Sequence, residues 1–290
     1  MSLAKNKPAI AGLLLTVAFI WGSAFVIMKD ALKHQDVNSF LACRFIIATC
    51  VLIALKPKAL RIMDRKFLVK GVTIGLLLGG GYIFQTFGLT MTTVAKTGFI
   101  TGLYAIFVPI FAAILFRRHI TGIQWIAVAL SFLGLMILSF KGLSIGIGEF
   151  LVFISALLFA FHIIALGEWS SSMDTYALTI VQLGTSAVLT YAASMKSGFH
   201  LPNSGGGWRA IIYTALFATA FAFIIQTWTQ SFMPATTIAI ILTMEYIFAA
   251  ALAVIFSHET LTLKIILGGG MVIGAMYLII WAEGREKIPA

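Results

Sequence analysis

The sequence predicts an all-α polytopic membrane protein whose ten transmembrane helices form two inverted five-helix repeats. The chain of 290 residues is 60% hydrophobic and only 10% charged, with a mean hydropathy of +1.03. Soluble domains carry about 25% charged residues, so the composition excludes a water-soluble globular protein. Apolar segments of membrane-spanning length recur along the whole chain, and features of the first half reappear in the second.

Each predicted helix is a segment of about 20 mainly apolar residues, the length that crosses a bilayer as an α-helix. The ten segments are 8–29, 36–55, 67–90, 93–116, 121–140, 147–169, 174–195, 208–232, 235–257 and 261–282. Pro234 suits the turn before the ninth segment, because proline cannot continue a helix. The first segment is too long for the apolar core of a signal peptide, so we expect an uncleaved first span.

The second half of the chain resembles the first at an offset of 140 to 141 residues. Gln85-Thr86 matches Gln226-Thr227, "FAAILFRRHIT" matches "ALAVIFSHETLT", and "FLGLMIL" matches "VIGAMYL". Chance similarity between apolar helices is the alternative explanation. Because five helices precede the second copy, that copy starts on the opposite side of the membrane, which is a common transporter plan. We therefore expect repeats over 1–141 and 142–290, with a substrate site between them near the bilayer midplane.

Positive charge is distributed unequally between the two sides of the predicted helices. With the N-terminus inside, 12 Lys and Arg residues fall on the inner side and 7 on the outer side, and the cluster at 56–70 decides the difference. The positive-inside rule then places both termini in the cytoplasm. The same rule accounts for the net charge of +10, so we expect the lipid bilayer as a partner and no nucleic acid.

Four segments resemble the drug/metabolite transporter superfamily and its EamA-type ten-helix exporters. They are "FIWGSAFVIMK" in the first helix, "CRF" in the second, "AKTGFITGLYAIFVPIFAAILF" in the fourth and "MEYIFAAALAVIFSHETLT" in the ninth. Within the superfamily the chain looks most like the YddG-type aromatic amino-acid exporters. The resemblance implies export of small metabolites, most simply amino acids with aromatic or large neutral side chains, across a bacterial-type inner membrane by alternating access. Other small metabolites or drugs are the alternative cargo.

The chain departs from the family pattern at two positions. Tyr246 stands where the ninth helix usually has proline, so a helix break there is not carried over to this sequence. His119 stands where the first repeat often has glutamate, so the contact between loops that this glutamate implies is not carried over either. Glu245 and Glu259 match the pattern.

Glu245 interrupts an apolar run near the centre of the ninth helix. A charge at this depth costs about 2.5–3.5 kcal/mol on insertion scales, so the side chain should face the interior, find a partner or be protonated. It can serve as the partner of a substrate ammonium group or as a proton carrier. Alternatively, it is a structural partner of Arg44, the arginine that lies deep in a span, or of a polar neighbour on another helix. The repeat places Glu245 opposite Tyr104.

Other polar and aromatic residues inside the spans are candidates for the same site. His162 can relay protons with Glu245, since imidazole titrates near neutrality, or can be a satisfied core histidine. The amides of glutamine residues can hydrogen-bond an amino acid or join helices. The candidate substrate-binding residues are Trp21, Tyr82, Gln85, Tyr104, His162, Gln226 and Trp228, and the candidate coupling or gating residues are Glu245, His162 and Arg44.

The glycines of "GVTIGLLLG" (71–79) and "GFITG" (98–102) recur every four residues, which is typical of close helix packing in membranes. Pro109 predicts a kink in the fourth helix. "GLSIG" (142–146) matches the G-x-S-x-G pattern of the hydrolase nucleophile elbow. No predicted strand precedes it, so we do not expect a hydrolase site there. Motifs for a metal, a cofactor or ATP are absent from the sequence, so we expect none of these ligands. We expect small molecules and protons as the partners of a transporter. A membrane-embedded enzyme and a channel are the alternative functions.

Overall fold

The computed structural model describes residues 7–117, 119–139, 146–257 and 263–285, and the regular structure in these ranges is helical throughout. The helices are α1 (Lys7–Ala31), α2 (Val37–Leu55), α3 (Arg65–Met91), α4 (Val94–Gly102), α5 (Tyr104–Phe116), α6 (Gly122–Ser139), α7 (Ile147–Trp169), α8 (Thr175–Ser194), α9 (Gly205–Ala215), α10 (Ala222–Gln230), α11 (Ala235–Leu242), α12 (Met244–Ser257) and α13 (Leu263–Arg285). A π-helical segment, Leu216–Phe221, joins α9 to α10. Two short 3₁₀ helices cover Pro57–Ile62 and Ser170–Ser172.

Seven continuous helical stretches in the described residues are long and apolar enough to cross a membrane, and three shorter apolar helices complete the pattern. The long stretches are Ala9–Ala31, Val37–Leu55, Arg65–Met91, Lys96–Phe116, Ile147–Ser172, Thr175–Ser194 and Gly205–Gln230. The shorter ones are Gly122–Ile137, Ala235–Ala249 and Ile266–Ala282. Together they fall on the ten segments that the sequence predicts, so the chain is a multi-pass membrane protein. Glu259 and residues 142–145 of "GLSIG" lie outside the described residues.

Polar caps explain where several helices begin. The carboxylates of Asp36, Asp64 and Asp174 accept hydrogen bonds of 2.7–2.8 Å from backbone amides three residues later, at the starts of α2, α3 and α8. The hydroxyls of Thr93 and Ser204 do the same for α4 and α9. Each cap satisfies an amide that the first turn leaves free. The helices therefore begin close to the positions that apolar length alone predicts.

The two halves of the chain pack against each other with a pseudo-twofold pattern. α2 packs on α8 and α6 packs on α13, and each of these pairs maps onto itself when the halves are exchanged. The packing of α1 on α12 corresponds to that of α7 on α4 and α5. Likewise, α3 on α7 corresponds to α1 on α9 and α10. This arrangement confirms the predicted fold class of two inverted five-helix repeats.

Glycines allow the closest helix contacts, as their spacing predicts. A Cβ atom at Gly75 of α3 would lie 2.6 Å from the carbonyl oxygen of Gln182 in α8. Cβ atoms at Gly98 and Gly102 of α4 would lie 2.7 and 3.0 Å from the ring of Tyr246. The glycines thus let helix backbones and one aromatic ring approach to distances that any larger residue would prevent.

The fourth and ninth predicted helices are both interrupted, and at equivalent positions. Leu103 separates α4 from α5, and Thr243 separates α11 from α12, at an offset of 140 residues. The amides of Ile106 and Tyr246 donate to the carbonyls of Leu103 and Thr243, at 2.9 and 3.2 Å, in place of the regular pattern. The break in the ninth helix therefore exists although Tyr246 replaces the usual proline. In the fourth helix the interruption lies at Leu103, and α5 continues through Pro109.

Candidate functional site

A cavity lies between the two halves, beside both helix interruptions. Its walls come from α1, α2, α3, α4, α5, α7, α10, α11 and α12, and the empty space between them, including the mouth, is about 570 Å³. The lining residues are Trp21, Ala24, Phe25, Met28, Arg44, Leu78, Tyr82, Gln85, Thr101, Tyr104, Phe159, His162, Ile163, Phe223, Gln226, Leu242 and Glu245. Eight of the nine candidate residues from the sequence are therefore brought together around one space.

Trp228 is the candidate that does not line this cavity. Its ring packs edge-on against Phe232, with ring centroids 5.0 Å apart. Two residues along an α-helix correspond to a rotation of about 200°, so Trp228 points away from the face that carries Gln226. Sequence spacing alone already separates the two side chains.

Arg44 is 1% exposed, and the partners that the structure gives its guanidinium are all neutral. Nε donates to Thr219 Oγ1 at 2.5 Å, and Nη2 donates to the Ala218 carbonyl at 3.1 Å and to Tyr82 Oη at 3.4 Å. Nη1 lies 3.4 Å from Met28 Sδ. The guanidinium carbon also lies 4.6 Å from the centroid of the Tyr82 ring, a cation–π contact.

The structure does not support an ion pair between Arg44 and Glu245. Among the described residues, the ion pairs join Lys33 to Asp30, Lys56 to Asp174 and Lys96 to Glu149. In the described structure Glu245 is therefore not the ion-pair partner of Arg44. Arg44 donates instead to the Thr219 hydroxyl and the Ala218 carbonyl, which lie 175 and 174 residues away in the sequence.

The π-helical segment explains why these two groups are available to Arg44. In Leu216–Phe221 backbone amides donate to carbonyls five residues earlier, as the amide of Ala222 does to the carbonyl of Phe217. A π segment within an α-helix displaces carbonyls from the regular ladder and is frequent at functional sites. Here the carbonyl of Ala218 accepts hydrogen bonds from Trp21 Nε1, at 2.8 Å, and from Arg44. The residue types of this segment, "LFATAF", do not mark it in the sequence.

Glu245 is 5% exposed and lies in the first turn of α12, directly after the interruption at Thr243. The free amides and the dipole of a helix N-terminus stabilise a negative charge. α1 packs tightly against α12 at this point. A Cβ atom at Gly22 would collide with the carbonyl oxygen of Glu245 and lie 2.9 Å from the amide of Ala249. The break in the ninth helix thus places a mid-membrane carboxyl group at the start of a helix.

Two buried polar atoms of the lining lack regular hydrogen bonds in the described structure. They are the hydroxyl of Tyr104 and Oε1 of Gln226. The Tyr246 hydroxyl also lacks a hydrogen bond of regular geometry, and it lies close to the Glu245 carboxyl, the Tyr104 hydroxyl and Thr101. Gln226 Nε2 donates to Gln230 Oε1 at 3.0 Å, which leaves its oxygen as the free end. Unpaired buried polar atoms are rare in native proteins and are frequent where a ligand or water binds.

His162 belongs to a polar chain that links three helices. Its Nε2 lies 2.9 Å from Gln182 Oε1, and Gln182 Nε2 donates to Thr227 Oγ1 at 2.9 Å. Because an amide oxygen only accepts, the Nε2 proton of His162 is directed at Gln182. No hydrogen bond joins His162 to Glu245 in the part of the chain that the structure describes. The geometry favours the satisfied core histidine over the proton relay.

Aromatic rings form a large part of the walls. Tyr82 makes edge-to-face contacts with Phe45 and Phe159, at centroid distances of 5.4 and 5.3 Å. Phe223 packs against Trp21 at 5.5 Å. Sequence reasoning missed Phe159 and Phe223, because the chain has 24 phenylalanines and nothing in the sequence distinguishes these two.

Comparisons with known proteins agree with this architecture. The family model described as "EamA-like transporter family" matches twice, at residues 9–140 and 146–281. An uncharacterized transporter of Archaeoglobus fulgidus is 30% identical over 278 residues, which cover 95% of this chain and 86% of that protein. The uncharacterized transporter YoaV of Bacillus subtilis is 21% identical, covering 95% and 98%. A crystal structure with 14% sequence identity superimposes with a TM-score of 0.81, covering 97% of this chain and 99% of that one, and shows the fold alone.

The two family matches correspond to the two structural halves, and together they cover most of the chain. The narrower likeness to YddG-type aromatic amino-acid exporters and the boundary at residue 141 stay predictions. The chain is a membrane transporter protein that belongs to the EamA-like transporter family.

Proposed function

We propose that this transporter exports amino acids with aromatic or large neutral side chains across a bacterial-type inner membrane. One observation carries the proposal. The cavity between the two halves is lined by a buried guanidinium, Arg44, and a buried carboxylate, Glu245, and neither forms an ion pair among the described residues. A zwitterionic solute has one group for each of these two side chains.

The cost of burying charge supports this interpretation. Ionisable residues inside a membrane are expensive, and they are retained where they pair with each other or face a solute pathway. Arg44 and Glu245 do not pair with each other, and both face the cavity. A bound zwitterion would supply the opposite charge to both of them.

The walls of the cavity fit a small solute with an apolar side chain. Ligand pockets are mainly apolar, with a few polar groups that fix orientation. Rings of Trp21, Phe159 and Phe223 offer surfaces for an aromatic or large aliphatic side chain. The Gln226 amide oxygen adds an unpaired polar atom.

Alternating access between the two halves would expose the cavity to each side in turn. Inverted repeats with interrupted helices beside a midplane site are a recurrent plan for this mechanism. The interruptions at Leu103 and Thr243 give each half one such helix. The outward direction and the cytoplasmic termini rest on the family resemblance and on the distribution of Lys and Arg. Family membership argues against a membrane-embedded enzyme.

A substrate panel in proteoliposomes tests the proposal. Purified protein should carry labelled aromatic and large neutral amino acids in a saturable manner, and an excess of unlabelled amino acid should compete. The assay is run with and without a pH gradient, with protein-free liposomes as the control. The proposal fails if no amino acid is carried while another class of solute is, or if labelled amino acid is chemically changed during the assay.

A further inference from the structure

We infer that Arg44 is the subsite for the carboxylate of the substrate, with the Nη1 edge of its guanidinium facing the bound group. The inference rests on the proposed function and deepens it, since it assigns one end of the substrate to a named atom. It also moves Arg44 from the coupling or gating role that the sequence suggests to substrate binding.

The hydrogen-bond inventory of the guanidinium points to the Nη1 edge. A guanidinium has five N–H donors in a fixed plane and no acceptor. The Nε donor is used by Thr219, and Nη2 is used by Ala218 and Tyr82. Nη1 has the thioether of Met28, at 3.4 Å, as its partner. A thioether is a weak acceptor, so this edge retains nearly all of its capacity for an anion.

Met28 is placed where a substrate carboxylate would displace it. It is 4% exposed and lines the cavity together with Arg44. A methionine side chain is unbranched and adapts easily to a new neighbour. A carboxylate in its position would form a charge-assisted hydrogen bond, which is about twice as strong as a neutral one.

The remaining contacts hold the guanidinium plane in a fixed orientation. Thr219 and the Ala218 carbonyl, both from the π-helical segment, fix one edge, and the ring of Tyr82 covers the flat face at 4.6 Å. Preorganised arginine is suited to carboxylate recognition because little freedom is lost when the ligand binds. The irregular segment in the eighth predicted helix therefore has a specific role, which is to orient Arg44 toward the cavity.

Paired ligands test the subsite. Phenylalanine and phenethylamine share the ring and the ammonium group, and only the former has a carboxylate. Apparent affinities are measured by competition against a transported amino acid in proteoliposomes. For Arg44→Gln we expect the preference for phenylalanine over phenethylamine to fall by about 10- to 100-fold, because one charge-assisted interaction is lost. The affinity for phenethylamine should change by less than about threefold, which also shows that the variant is folded.

A second pair of variants places the carboxylate in the protein itself. Met28→Glu should occupy the Nη1 edge and weaken phenylalanine selectively, whereas the isosteric Met28→Gln should not. If Arg44→Gln weakens both ligands equally, or Met28→Glu behaves like Met28→Gln, the subsite is refuted while amino-acid transport stands. Wild-type protein that carries no amino acid would refute the proposed function, and with it the inference.

Discussion

Arg44 and Glu245 line the same buried cavity from opposite halves of the chain and form no ion pair with each other. Each has its own local support instead. Arg44 is held by Thr219, Ala218 and Tyr82, and Glu245 lies at the N-terminus of α12. Two ionisable side chains of opposite charge type that are held separately remain available to a third molecule.

Glu245→Gln distinguishes the two roles of the carboxylate. If transport is proton-coupled through Glu245, the variant should lose the pH dependence of transport in proteoliposomes. The other titratable groups that line the cavity are Arg44, Tyr82, Tyr104 and His162. Glu149→Gln is the matched control, because Glu149 pairs with Lys96 outside the cavity. A Glu245→Gln variant with an unchanged pH profile would exclude proton coupling through this residue and leave the ammonium partner.

His162 should not carry the coupled proton. Its Nε2 proton is directed at Gln182, so we expect His162→Gln to keep the pH profile of the wild type. His162→Ala, which removes this buried hydrogen bond, should also lower the stability of the detergent-solubilised protein by about 1–3 kcal/mol. Transport at several pH values and thermal unfolding together measure the two effects. A flattened pH profile at unchanged stability would show that His162 is a relay after all.

Thr219 should act through Arg44. Thr219→Ala removes the hydroxyl that accepts from Nε at 2.5 Å, and Thr219→Ser keeps it. A hydrogen bond to a charged group contributes about 1.5–3 kcal/mol, so the alanine variant should raise the KM for amino acids by about tenfold or more. The serine variant should restore the wild-type value. Equal KM values for the alanine and serine variants would contradict a positioning role for the hydroxyl.

Gly22→Ala should disturb the contact between α1 and α12. The added methyl group would collide with the carbonyl of Glu245 and approach the amide of Ala249, and neither backbone atom can rotate away. Overpacking of this kind costs about 1–3 kcal/mol. Gly12→Ala on the same helix is the control, since a Cβ there meets nothing within 4 Å. Thermal unfolding of both variants should show a loss of stability for Gly22→Ala alone, and equal melting temperatures would contradict the packing described.

The fold could be predicted from the sequence because each helix is marked by its own apolar length. In the structure, Asp36, Asp64 and Asp174 cap the starts of α2, α3 and α8. The inverted arrangement followed from the matching Gln85 and Gln226, which both line the cavity. In these cases the information is local, or it repeats at a fixed offset.

The rest of the site depends on contacts between distant segments. Thr219 and Ala218 reach Arg44 only because a π-helical segment displaces them from the regular ladder, and their residue types do not indicate that segment. The break at Thr243 likewise carries no proline. The indole of Trp228 suits a binding site chemically, although its position on the helix turns it away from Gln226. Side-chain type suggested the candidates, and helix geometry decided which of them share a cavity.

A structure of the protein with a bound aromatic amino acid is the most direct test of the central claim. The account predicts the amino acid in the cavity between the halves, with its carboxylate at Nη1 of Arg44, the Met28 side chain displaced, and its ammonium group facing Glu245. Density for the amino acid outside this cavity, or a carboxylate turned away from Arg44 while Met28 stays in place, would contradict the account.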